Sequence, residues 1–321
     1  MSLNPLTGPS AEELDGLVHE ENMLEKPRGL WAGAWRRLLR RKGGVVGLFM
    51  IGFIFLVAIL APLIAPYDPV LDDFIGDGDS RRRDSPCVHI LGCDEANTQH
   101  LMGLDGNARD EFSRIVFGSR WSLSIGFFTV ALAFSIGSTL GAVSGYWGGH
   151  LDNWIMRFMD VILGFPALLL AIAIGATLGP GFRNTMIAIA IVSIPIYARV
   201  MRASVLSIKE LDFVAASRTL GASKGRILLT RVIPNALTPL IVIGTLGIAT
   251  AILDAAAFGF LGLGAQPPNP EWGAMLAAER SQIFSAPHLV WFPGLAIMFT
   301  VLGFNLLGDG LRDALDPALN E

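Results

Sequence analysis

Long apolar runs, each about one bilayer deep and separated by polar stretches, dominate the chain. They cover residues 44–65, 121–145, 158–178, 185–205, 235–258 and 289–308. A hydrocarbon core of about 30 Å is crossed by about 20 helical residues at about 1.5 Å each, so every run can span it. In lipid the backbone N–H and C=O groups must pair within their own segment, which makes spans of this kind helices. The pattern predicts an all-α integral membrane protein with six transmembrane helices.

The polar stretches divide the chain accordingly. Residues 1–43 form an N-terminal tail and 44–65 a first anchor helix. Residues 66–120 make a loop, 121–310 a transmembrane core that includes a loop at 206–233, and 311–321 a C-terminal tail. Residues 1–27 mix Pro, Gly and acids without helical periodicity and read as a mobile tail. The first apolar run follows a polar leader rich in Glu and Arg and reads as a retained anchor, not a cleaved signal.

Charge sets the expected orientation. Arg28, Arg36, Arg37, Arg40, Arg41 and Lys42 precede the first span, with no acid among residues 26–43. Positive flanks face the cytoplasm, so both termini of a six-span chain are expected inside. The 206–233 loop then also falls inside, and it carries Lys209, Arg218, Lys224, Arg226 and Arg231. The 66–120 loop falls outside and is rich in acid, including Asp68, Asp72, Asp73, Asp77, Asp79, Asp84, Asp94 and Glu95; Arg81, Arg82 and Arg83 run against the trend there. Composition agrees with a membrane location: 52% of residues are hydrophobic and 16% charged, against about 25% charged in ordinary soluble domains. Mean hydropathy is +0.53.

Inside the 206–233 loop a short amphipathic helix is expected. Phe213, Ala216 and Leu220 recur at i, i+3 and i+7 on one helical face. Gly221 sits where a helix ends in a left-handed turn. An apolar helix held off the membrane is expected to meet a partner.

Chemistry is sparse elsewhere. Cys87 and Cys93 are the two cysteines, both in the outer loop. They read as a disulfide, with two free thiols or a metal site with His89 and Asp94 as alternatives. No GxxxxGK[ST] phosphate loop occurs, and neither a metal, a cofactor nor a nucleic-acid partner is expected. The GAVSG run at 141–145 approaches a serine-protease setting, yet Ser144 reads better as a small packing residue. Asp160 and Asp254 are expected near opposite ends of their spans, too far apart to share a proton. Asp254 is either a carboxylate at membrane depth, and so a possible part of a translocation path, or an interfacial acid. Gly126, Gly137, Gly141, Gly244 and Gly247 suit close helix packing, while Pro166 and Pro195 interrupt spans three and four. Pro195 marks either tolerated packing or a moving bend. HILGCD at 89–94 and HLMGLD at 100–105 echo each other locally.

Several of these segments resemble one family. The 212–234 loop is similar to the signature cytoplasmic loop of bacterial ABC importer permeases, a Glu-Ala-Ala triplet followed by a glycine and then a proline. Ala215, Ala216 and Ser217 occupy the triplet, with Gly221 and Pro234 at the later positions; the glutamate is replaced by Ala215 and the second alanine by Ser217. The blocks at 100–123, 151–174, 260–280 and 292–317 resemble the dipeptide/oligopeptide/nickel branch, and the likeness covers roughly residues 30–319. This resemblance implies a non-catalytic permease in the bacterial inner membrane, paired with a second homologous permease and embedded in lipid. Two cytosolic ATPases and an extracytoplasmic solute-binding protein would complete the importer. Phe213, Ala216 and Leu220 would contact an ATPase with Arg218 at the rim, Gly221 would set the turn, and Pro234 would mark re-entry into the bilayer. The cargo implied is peptide, with nickel or another small solute as the alternative. An intramembrane enzyme and an ATPase-independent carrier are the rival classes.

Overall fold

A computed structural model describes residues 30–72, 74–75, 81–94 and 98–315. Among them the secondary structure is helical, with two isolated bridges, Cys87 to His100 and Leu104 to Asp110. The helices are α1 (Leu30–Arg40), α2 (Lys42–Ile64), α3 (Glu111–Trp147), α4 (Gly149–Leu163), α5 (Ala167–Leu178), α6 (Phe182–Ile208), α7 (Asp212–Thr219), α8 (Lys224–Ile227), α9 (Ile233–Phe260), α10 (Trp272–Glu279) and α11 (His288–Leu315). Five rods are long and apolar enough to cross a membrane: α2, α3, α6, the continuous Lys224–Phe260 rod and α11. Counted as one span, the bent pair α4–α5 makes a sixth.

Side-by-side contacts fix the directions. Gly137, Gly141 and Gly145 of α3 face Ile194, Ala198 and Arg202 of α6 in the same order, so those helices run parallel. Gly44 and Gly47 of α2 face Gly310 and Gly303 of α11 in opposite order. Taken with α9, whose Gly247 faces Val130 while its Ile252 faces Gly126, the rods alternate six times. The beginning of α2, the end of α11 and α7 therefore lie at one end of the bundle.

The α3–α6 seam is the closest approach. A Cβ on Gly137 would sit 2.6 Å from the Ile194 carbonyl oxygen and one on Gly145 2.9 Å from that of Arg202. A Cβ on Gly141 would collide with the Ala198 carbonyl. Backbones meeting this closely gain dispersion contact that lipid cannot offer either helix alone. The GAVSG run thus serves packing: Ser144 is fully buried and donates to the Gly141 carbonyl at 3.2 Å.

Proline positions are accommodated individually. Pro62 has no N–H for the Ala58 carbonyl, and Arg120 of α3 donates to that oxygen at 2.5 Å and to Ile59 at 3.0 Å. Pro195 lies buried within the unbroken α6. Pro166 caps α5, and the chain turns by 90° between α4 and α5.

Several expected boundaries move. The third span is two helices, because Gly164 and Pro166 break the ladder, and its first limb starts at Gly149. The loop expected at 66–120 ends at Glu111, where Asp110 accepts from the Ser113 amide at 2.7 Å and caps α3. Helix α1 occupies part of the stretch read as a tail; its arginines alternate with apolar residues at helical spacing. The last helix continues to Leu315, so the described part of the 311–321 tail, residues 311–315, is all helical. The helix that holds Pro234 starts earlier than expected, at Lys224, and passes a π-helical turn at Leu228–Val232. That wide turn, immediately before Pro234, loosens the ladder where the ring removes a donor. Arg28, Asp73, Asp77, Asp79, Glu95 and the segments 1–29 and 316–321 lie outside the described residues.

Enlarging the seam should unfold it. We expect Gly141→Leu to cost about 3 kcal/mol, the upper part of the overpacking range, because its neighbour is backbone. Gly52→Leu, with open space around it, should be neutral. Monodisperse protein recovered after graded heating in detergent measures both.

Candidate functional site

Helix α7 projects from one end of the bundle, between α6 and the Lys224–Phe260 rod. Its single fully buried side chain is Val214. Val214 packs in an apolar cluster with Ala142 of α3, Met201 and Val205 of α6, and Ile227, Leu228 and Val232 of the following rod. One valine thus roots the helix on three long elements at once.

The opposite face is open. Phe213 is 41% exposed and Leu220 87% exposed, and Ala215, Ala216 and Arg218 are exposed with them. Ser217 is half-buried and donates to the Phe213 carbonyl at 2.8 Å; Thr219 donates to Ala216 at 2.8 Å. These hydroxyls are satisfied within the helix itself. Helix α7 ends at Thr219, one residue short of Leu220, so the expected apolar face is completed by the cap and not by a further turn.

Gly221 makes that cap. Its φ is +79°, the left-handed region that favours glycine. Its amide donates to the Arg218 carbonyl at 3.0 Å, and the Ala222 amide donates to Ser217 at 3.2 Å. This pair of bonds is the Schellman arrangement, which reverses the chain and satisfies two helix-end carbonyls. A Cβ at Gly221 would meet open space, so the requirement is conformational and not steric.

Charged groups brace the same end. Arg202 of α6 makes two 2.6 Å bonds to Asp152 of α4, from Nε and from its terminal nitrogen. Lys209 donates to the Gly145 carbonyl at 3.0 Å, tying the approach to α7 onto the end of α3. Asp152 and Arg202 escaped the sequence reading. They lie 50 residues apart, and no short motif joins them; an acid one turn into a helix that starts at a glycine was the available signal.

At the far end, segment 66–110 and α10 clasp the start of α3. His100 faces Asp110 at 3.1 Å, Arg109 and Arg114 both engage Asp105, and Trp272 donates to the Ile115 carbonyl at 3.0 Å. Arg83 pairs with Glu279 at 2.7 Å, which gives one of the three arginines at 81–83 a local counter-charge. Cys87 and Cys93 are joined as a disulfide with Cα atoms 5.4 Å apart. Glu271 caps α10, accepting from the Gly273 and Ala274 amides at 2.8 Å each, and burial pushes its carboxyl above the usual range.

Asp254 stands apart from both ends. It is half-buried on α9, with no ion pair or hydrogen bond from its side chain among the described residues. Phe260 closes that helix, so Asp254 lies about 9 Å inside it. Asp160 pairs with Arg199 at 2.6 Å on an exposed surface, level with Gly141, whereas Asp254 follows Ile252, level with Gly126. The fifteen α3 residues between those levels put the two acids about 20 Å apart along the bundle, far beyond proton sharing.

Comparison with known proteins converges on one family. The family model described as binding-protein-dependent transport system inner membrane component matches residues 137–321. A second model, the N-terminal TM domain of oligopeptide transport permease C, matches residues 29–82. A dipeptide transport system permease protein of Alkalihalophilus pseudofirmus is 47% identical over 90% of both chains. A glutathione transport system permease protein of Pectobacterium atrosepticum is 44% identical, covering 90% of this chain and 91% of its own. A di/tripeptide transport system permease protein of Pseudomonas aeruginosa is 46% identical, covering 89% and 91% respectively. Among solved structures, a chain of the MetNI methionine ABC transporter aligns with a TM-score of 0.52 at 19% identity, covering 63% of this chain and 96% of its own. That likeness concerns the fold.

Breaking the Arg202–Asp152 brace should be measurable but modest. Arg202 keeps about a third of its side chain in solvent, so Arg202→Gln is expected to cost about 1 kcal/mol. The reversed pair, Asp152→Arg with Arg202→Asp, should recover part of it in the same thermal assay.

Proposed function

The chain belongs to the binding-protein-dependent transport system inner-membrane component family, and we propose that it is one of two permeases in an ATP-driven importer of short peptides. It is a multi-pass protein of the bacterial inner membrane with the ABC-permease fold. On this reading the chain breaks no covalent bond, and partner subunits hydrolyse ATP. Three relatives named for dipeptides, di/tripeptides and glutathione favour a peptide cargo over nickel. The α7 end faces the cytoplasm, in keeping with its arginines and lysines.

The observation that carries the mechanism is the division of α7 into one buried and several exposed apolar residues. Val214 fixes the helix to the bundle, leaving Phe213, Ala216 and Leu220 for an ATPase groove, with Arg218 at the rim. Ala215 and Ser217 shape the helix between them. A short amphipathic helix laid in an apolar groove is a recurrent mode of partner recognition. Movement of the ATPases would reach the bundle through Val214 and Lys209, hence through α3 and α6 together as a rigid pair. Asp254, with no side-chain partner among the described residues, is proposed as a polar station beside the translocation path. Solute would arrive at the opposite end from an extracytoplasmic binding protein.

Co-purification from membranes tests the arrangement. Wild-type chain should bring a second permease and Walker-motif ATPases, and Phe213→Ala with Leu220→Ala should reduce ATPase recovery about tenfold. Gly221→Val should abolish most dipeptide uptake at normal expression, since a β-branched residue is strained at positive φ. Ser217→Ala should transport like wild type, its hydroxyl bond being internal to α7. Full uptake without ATPases, or normal uptake by the Gly221 variant, would overturn this account.

A further inference from the structure

Helix α1 divides into three sectors with different chemistry. Leu38 is buried, wedged where Gly44 of α2 and Gly310 of α11 leave room for its methyl groups. At about 100° per residue, Trp35 and Leu39 lie together on the next sector, and Arg36 and Arg40 on the one after that. Trp35 is 54% exposed and Leu39 45%, while Arg36 and Arg40 are exposed with no ion-pair partner among the described residues. One sector grips protein, one is bare and apolar, and one is bare and cationic.

The surroundings say what covers the bare sectors. Extended backbone at Arg41 breaks the helix, and α2 begins at the next residue. Val45, Val46 and Phe49, in the first turns of α2, are exposed apolar side chains as well. Arg41 reaches Asp313 at 3.9 Å, holding the junction against α11. The described sequence 30–42 contains no acid. An indole and a leucine beside guanidinium groups, at the point where a spanning helix starts, match the border between acyl chains and headgroups.

We propose that α1 lies in the membrane border as a binding surface for anionic phospholipid, with Trp35 and Leu39 among the upper acyl carbons and Arg36 and Arg40 on headgroup phosphates. This rests on the membrane-spanning reading of α2. Zwitterionic lipid satisfies the apolar sector equally well, but only a net negative headgroup complements two arginines that have no ion pair among the described residues. Each basic side chain near such a surface contributes about one kcal/mol, so two predict a preference of about thirtyfold, screened by salt.

The test uses the full chain in phosphatidylcholine vesicles, with or without phosphatidylglycerol. Cys87 and Cys93 are paired, so a fluorophore on Leu39→Cys or on Phe49→Cys reports one place. Nitroxide lipids of either headgroup serve as quenchers. Phe49→Cys should be quenched by both headgroups, which tests the spanning assignment by itself. Leu39→Cys should be quenched by both, with phosphatidylglycerol about thirtyfold more effective at low salt. Adding Arg36→Gln and Arg40→Gln should erase that preference and keep the phosphatidylcholine signal. Quenching at position 49 with none at 39 would overturn the proposal alone. Equal quenching by the two headgroups at 39 would overturn its anionic part. Loss of quenching at 39 when partner subunits are co-reconstituted would assign this face to protein instead. No quenching at 49 would sink the spanning reading first.

Discussion

Everything in this molecule hangs on the glycine seam between α3 and α6. Two rods that meet backbone to backbone at Gly137, Gly141 and Gly145 cannot slide or roll independently. The seam ends at Gly145, whose carbonyl receives Lys209, and beside Ala142, which helps to bury Val214. At its other end the Ile194 carbonyl, one residue before Pro195, fits the space left by Gly137. Lipid offers no hydrophobic gain for joining helices, so close steric fit has to supply it.

Braces at the two ends differ in kind. At the α7 end, one two-toothed ion pair and one lysine bond join elements that a partner could move. At the other, several acids and arginines interlock with α10 and the disulfide-bearing segment. The first arrangement leaves α7 with little of its own surface buried; the second consolidates the start of α3. Local stability need not be uniform along a membrane rod, and elements that answer to partners come from its weakly held parts.

The spans and the short helix were legible because both are periodic. An apolar run about 20 residues long has few structural options in lipid, and Phe213, Ala216 and Leu220 with Gly221 carry spacing and a stop together. What the pattern missed was long-range. Asp152 and Arg202 meet across two helices. Val214, the buried member of α7, looks in sequence like one more apolar residue beside Phe213. Apolarity also fails to mark where a helix starts: α3 begins in charged residues because Asp110 caps it, and the rod that holds Pro234 begins at Lys224 because a π-turn absorbs the ring. The 90° turn at Gly164 to Pro166 lies inside a run that hydropathy reads as one span.

The length of α3 has a mechanical consequence. Its 37 residues form a lever arm about 55 Å long. If α3 and α6 tilt together about the Gly145 end, about five degrees carries the Glu111 tip through about 4 Å. The end that holds Arg114 and abuts Trp272 would move on the scale of a side chain in answer to a displacement at α7 too small to disturb its own contacts. Stiffness in one rod thus does the work that a chain of small rearrangements would otherwise have to do.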